Sequence, residues 1–161
     1  MEVGTWTDHD ATGESSNNGD TVNTIDAYVV RAGNGWVMNF GPFWGDIHQP
    51  PGVPYKQIAF QPASTQAQAG SVIYEGQGMF YLFWSEGIYC GFDKTKPAPG
   101  VEYKIRVCRI KDVAGPYFDR EIKSCTAGGG TTVLESYGFV YGLGGHGVFS
   151  DRTRGTVLLL R

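Results

Sequence analysis

Residues 69–84 read AGSVIYEGQGMFYLFW. A small residue is followed by a short apolar strand, a turn, a glycine nine positions after Ala69, and a second apolar strand. The pattern occurs twice more. Residues 26–40, DAYVVRAGNGWVMNF, place Asp26 nine positions before Gly35, and residues 146–160, HGVFSDRTRGTVLLL, place His146 nine positions before Gly155. Short aromatic and β-branched runs broken by glycine turns read as hairpins. The leading slot holds Asp, Ala and His in turn. If the three hairpins are blades around one axis, these residues line a common centre, and Ala69 is a gap in it. Gly35 and Gly78 are 43 residues apart, the length of one four-stranded propeller blade. Gly78 and Gly155 are 77 apart, one blade plus an insertion. Periodicity alone leaves a β-sandwich with three chance hairpins as the competing arrangement.

Composition agrees with an all-β chain. The 161 residues include 24 glycines and 14% aromatics, with only 18% charged residues, and this length suffices for one domain, 1–161, with a real core. A net charge of -3 argues against nucleic acid as a partner, since such binders carry a basic stripe. No run approaches the roughly 20 apolar residues of a membrane-spanning helix. The start MEVGTWTDHD is polar, without the apolar stretch of a leader peptide. Cys90, Cys108 and Cys125 form no CxxC or Cys/His cluster, which disfavours zinc. Their odd count leaves at least one thiol unpaired per chain, and the spacing is equally compatible with one disulfide or three thiols.

Between the hairpins, YKQIAF (55–60), YKIRVCRI (103–110) and TTVLES (131–136) read as strands. GFDKTKPAPGVE (91–102) reads as an exposed loop and TAGGG (126–130) as a flexible turn. No segment keeps a helical apolar period for three turns. Trp36 and Trp84 sit on strands and are expected in the core. Arg152 and Arg154 lie in a turn and are expected in solvent.

Several long motifs carry a resemblance. NTIDA followed by FGPFWGDI, then FYLFWSEGIYCG, APGVEYKIRVCR, GPYFDREIKSCTAGGGTTVLES and YGLGGHGVF are similar to glycoside hydrolase family 43, particularly the fungal endo-1,5-α-L-arabinanases. The resemblance runs through nearly the whole chain. It implies an all-β fold, a partial propeller of about three blades related to the five-bladed arabinanase fold, and a secreted protein. It also implies a chemistry, inverting hydrolysis of arabinan. That reaction needs a base to activate water, an acid opposite it, and a third carboxylate that orients and tunes the acid. The tuning Asp corresponds to Asp26. The acid, a Glu before a glycine and a short strand, corresponds to Ala69 before Gly70. Nothing in these 161 residues matches the base. One catalytic carboxylate of three is therefore expected here, which predicts a degenerate, non-hydrolytic relative that binds pectic or arabino-oligosaccharides. The alternative is an endo-arabinanase acting only through a composite or repurposed site that uses Asp26 and His146. Glu75 and Glu86 are weak substitutes for the acid, because Glu75 sits at a hairpin tip and Glu86 follows the second strand.

The resemblance further places Phe43 and Trp44 on a loop lining the sugar cleft, where a furanose ring packs on indole; packing between blades is the competing role. It puts His146 at the cavity floor, where an axial Ca or Na ion is a candidate and a hydrogen bond to loop groups the plainer role. For Asp26 the plainer role is a buried carboxylate bonded to loop amides. Fungal relatives often have adjacent cysteines where this chain has Tyr89 and Cys90, so the resemblance implies no disulfide pairing for this chain. A three-blade ring leaves apolar faces and the TVLLL edge uncovered, which predicts a homo-oligomer or a partner chain.

Overall fold

The computed structural model describes residues 24–42, 57–59, 67–89 and 91–160. Among these described residues, nine strands form three sheets. The first contains β1 (Thr24–Ala32), β2 (Gly35–Pro42) and β3 (Gln57–Ala59), in that order. The second runs β4 (Ala67–Gly76), β5 (Met79–Glu86), β6 (Lys104–Ile110) and β7 (Thr131–Leu134). The third pairs β8 (His146–Asp151) with β9 (Gly155–Leu160). Each sheet is ordered along the chain from its first strand outward. The first strands are neighbours, with β4 packed against β1, β2 and β8. That is the blade arrangement expected from the three hairpins, and among the described residues the only helical element is a 3-10 turn, Cys125–Ala127.

The constant nine-residue spacing conceals three different backbones. In β1, Asp26 and Ala27 form a bulge between the Ile25–Gly41 and Tyr28–Asn39 pairs. In β4 the bulge is larger: Ala69, Gly70 and Ser71 stand opposite Trp84 alone, between the Gln68–Ser85 and Val72–Phe83 pairs. β8 pairs regularly with β9 from His146–Leu160 to Asp151–Gly155. Turn lengths compensate. Gly35 and Gly155 open the second strands of their hairpins, whereas Gly78 belongs to the turn itself, beside Gln77, both at positive φ.

The core lies on one face of the second sheet. Ile73, Leu82 and Cys108 form a cross-strand rung, each almost fully buried. Trp84, Val37, Val113, Tyr117 and Cys125 pack around it. Alternation along β2 decides the two tryptophans' fates differently. Val37 points into the core and Trp36, one residue earlier, is 66% exposed. The expectation of a buried Trp36 is corrected, because period-two alternation fixes opposite faces without telling which is covered. Trp84 is 2% exposed, as expected.

A disulfide joins Cys108 on β6 to Cys125 in the 3-10 turn, with Cα atoms 6.6 Å apart. Closing a loop of this length (sequence separation 17) stabilises by about 3 kcal/mol. Cys90 lies outside the described residues. The TAGGG stretch is a fitted corner rather than a flexible turn. A Cβ at Gly129 would overlap the carbonyls of Lys123 and Ser124, and one at Gly130 would overlap the Trp84 ring. Asp119 anchors the approach by accepting from the backbone N–H groups of Glu121, Lys123 and Gly130. Those bonds, the Gly130 one foremost, hold its carboxyl below the usual range. Of YKQIAF, Gln57–Ala59 are described; they form β3, which runs parallel to β2.

Candidate functional site

The candidate site is the end of the sheets where β1, β4 and β8 carry Asp26, Ala69 and His146. Backbone placement brings the three positions onto adjacent first strands: two in bulges, the third at a strand start. Bulges re-aim side chains and are common beside functional sites. The side chains of Asp26 and Ala69, and the whole of Phe43 and Trp44, lie outside the described residues.

His146 is described in full. Its Nδ1 lies 3.1 Å from Oγ of Ser85, which is completely buried. The Phe83 ring stands 6.2 Å away on the same face of β5. Nε2 is buried and has no hydrogen-bond partner among the described residues. Burial holds the imidazole pKa below its ordinary value, against a smaller opposing effect of the Phe83 backbone. The ring is therefore neutral near pH 7, with a polar atom unengaged. As a cation ligand it offers one nitrogen, whereas Ca and Na take several oxygens. No group of three His, Cys, Asp or Glu among the described residues is arranged for a metal, so the described donors do not by themselves make an ion site.

Glu86 lies opposite Ala67, two residues before Ala69. Both its oxygens are engaged: Arg106 Nη1 donates to Oε1 at 3.1 Å and Trp84 Nε1 donates to Oε2 at 3.3 Å. Arg106 also donates from Nε to the Gly130 carbonyl at 3.0 Å and lies over the Trp84 ring. This carboxylate is a clamp across β5, β6 and the start of β7. Glu75, in the strand end beside the hairpin turn, is exposed at the opposite end of β4 from Ala69.

Sequence reasoning missed a clasp between two loops. Glu102 is buried. Its carboxylate accepts from the Gly100 N–H and from Ser136, and Ser136 Oγ in turn accepts from the Gly142 N–H at 3.0 Å. Hydrogen bonds, the one from its own backbone foremost, hold the Glu102 carboxyl below its usual range despite burial. Tyr103 sits against Gly144 and Phe92 against Gly142, where a Cβ would overlap either ring. Tyr141 donates to the Pro97 carbonyl at 3.0 Å and lies edge-on to Phe92. The clasp thereby fixes the segment that delivers His146. Its only sequence signal was the glycine spacing in YGLGGHG. Arg152 and Arg154 are exposed, as expected.

Comparison with known proteins supplies the family. A probable arabinan endo-1,5-α-L-arabinosidase A of Emericella nidulans is 47% identical over 167 residues, covering 98% of this chain and 52% of that protein. The arabinan endo-1,5-α-L-arabinosidase A of Aspergillus aculeatus is 41% identical, with the same coverage. This chain belongs with the arabinanases of glycoside hydrolase family 43. It spans about half the length of the curated relatives it matches. Among solved structures, the Cellvibrio cellulosa α-L-arabinanase superposes with a TM-score of 0.70 at 23% identity, over 96% of this chain and 54% of that one. A GH43 endo-arabinanase from Bacillus licheniformis gives 0.57 at 23% identity, over 89% and 54%. These likenesses establish the arabinanase propeller fold, in part, for this family member. No family model matches the chain.

Proposed function

We propose that this chain is a non-hydrolytic relative of the arabinan-degrading enzymes, which binds arabino-oligosaccharides where β1, β4 and β8 begin. One observation carries the reading: Ala69, in the β4 bulge before Gly70, occupies the slot that the family resemblance gives to the proton donor. A methyl group donates no proton. The nearest described carboxylate by strand pairing, Glu86, has both oxygens committed to Arg106 and Trp84. Concerted catalytic groups fail together when one is lost. Asp26, Phe43, Trp44 and His146 are the proposed ligand contacts. The buried disulfide supports an extracellular setting.

Self-association is part of the proposal. Phe149 and Leu159, on the face of β8–β9 turned from the core, are 42% and 55% exposed. Exposed apolar residues of this kind suit contact with another chain.

Incubation with linear arabinan, followed by a reducing-end assay, is expected to give no signal above a heat-treated control. Turnover would overturn the reading. Calorimetric titration with arabino-oligosaccharides is expected to show binding that His146→Ala weakens. Sedimentation at micromolar concentration is expected to show a dimer or larger species.

A further inference from the structure

The segment 135–146 carries two aromatic rings that the fold leaves in water. Phe139 is fully exposed (100%) and Tyr137 is 62% exposed. They are not on a slack loop. Tyr137 and Val140 exchange two backbone bonds, 3.0 and 2.9 Å, closing a tight turn around Gly138 at φ +56°. Just before that turn, Ser136 is tied to buried Glu102 and to the Gly142 N–H. Just after it, Tyr141 is fixed by the Pro97 carbonyl, the edge of Phe92 and the Lys96 ammonium 4.9 Å from its ring centre. The same segment ends at His146, in the candidate site.

The backbone that presents the two rings is braced, so a ligand that covers them has only their side-chain rotamers to order. An isolated exposed apolar residue needs no explanation, but this pair is aromatic and set on a braced turn, in the segment that leads to the site. Aromatic faces suit the C–H faces of sugar rings, and Tyr adds a hydroxyl at the rim. We propose that Tyr137 and Phe139 form an accessory platform for an arabinan chain, taking furanose units beyond those held around His146. The inference rests on the sugar-binding reading above and adds to it a dependence on chain length.

The test compares linear arabinan with its disaccharide, using affinity electrophoresis and calorimetry on the whole chain. Phe139→Ala and Tyr137→Ala are each expected to weaken arabinan binding about fivefold or more. Disaccharide binding and the unfolding temperature are expected to stay unchanged, and Phe139→Trp is expected to retain polymer binding. Equal arabinan affinity in wild type and both alanine variants would overturn this inference alone. So would loss of self-association in Phe139→Ala with unaltered arabinan binding, since the ring would then belong to a protein contact. A wild-type chain that binds neither polymer nor disaccharide would defeat the parent reading too.

Discussion

The second sheet and the last hairpin are built from similar sequence patterns and held by different forces. The β4–β7 sheet is stabilised by apolar burial and a covalent link. Its rung of Ile73, Leu82 and Cys108 is dry, and the disulfide ties β6 to the loop beneath. The β8–β9 hairpin buries Val148 and adds polar contacts: His146 on Ser85 and the Tyr74 hydroxyl on Thr156 Oγ1 at 3.0 Å. Polar docking leaves a hairpin responsive to pH, where a dry rung is not. The element that carries His146 into the site is therefore the more readily loosened one.

The largest effect expected from that contrast is at Leu82. Leu82→Ala removes a fully buried side chain from the rung and should lower stability by about 3–5 kcal/mol in urea unfolding. Next comes reduction of the disulfide, or Cys108→Ser with Cys125→Ser, which should cost about 2–4 kcal/mol in the same measurement.

Acid should act on the hairpin and the clasp in sequence. His146 has a folded-state pKa below its ordinary 6.5, so its neutral form contributes stability that is lost as pH falls below about that value. Amide exchange in β8–β9 should accelerate there first, and His146→Gln should flatten that step. Glu102 also has a depressed pKa, so its contribution is present above 4.5 and is lost as pH falls through its lower folded value. A second acid step, in residues 135–146, should vanish in Glu102→Gln. If both regions loosened together at one pH, the distinction between hairpin and clasp would fail. The smallest effect belongs to Thr156→Val, which deletes one exposed hydroxyl contact and should shift stability by no more than about 0.5 kcal/mol.

Much of this architecture was legible because strand alternation and turn glycines are local signals. The three hairpins and the strands at 104–110 and 131–134 follow from them. The errors share one origin. Trp36 is outward because the covering surface, on β4 and its neighbours, is distant in sequence. The TAGGG corner reads as slack until Trp84 and Arg106 are seen resting on Gly130. The candidate site was legible as three slots and opaque as chemistry. Ala69 could be read directly from the family motif, whereas the occupation of Glu86 by Arg106 depends on strand register.

The sequence by itself determined that this is an all-β chain of glycine-turned hairpins, and that Asp26, Ala69 and His146 share the slot nine positions before a glycine. Period and residue identity are properties of the chain alone. Only the tertiary structure decided which cysteines join, which of Trp36 and Trp84 is dry, and which nitrogen of His146 lacks a partner among the described residues. Each of those depends on surfaces brought together from positions far apart along the chain, and no local pattern encodes what will cover them.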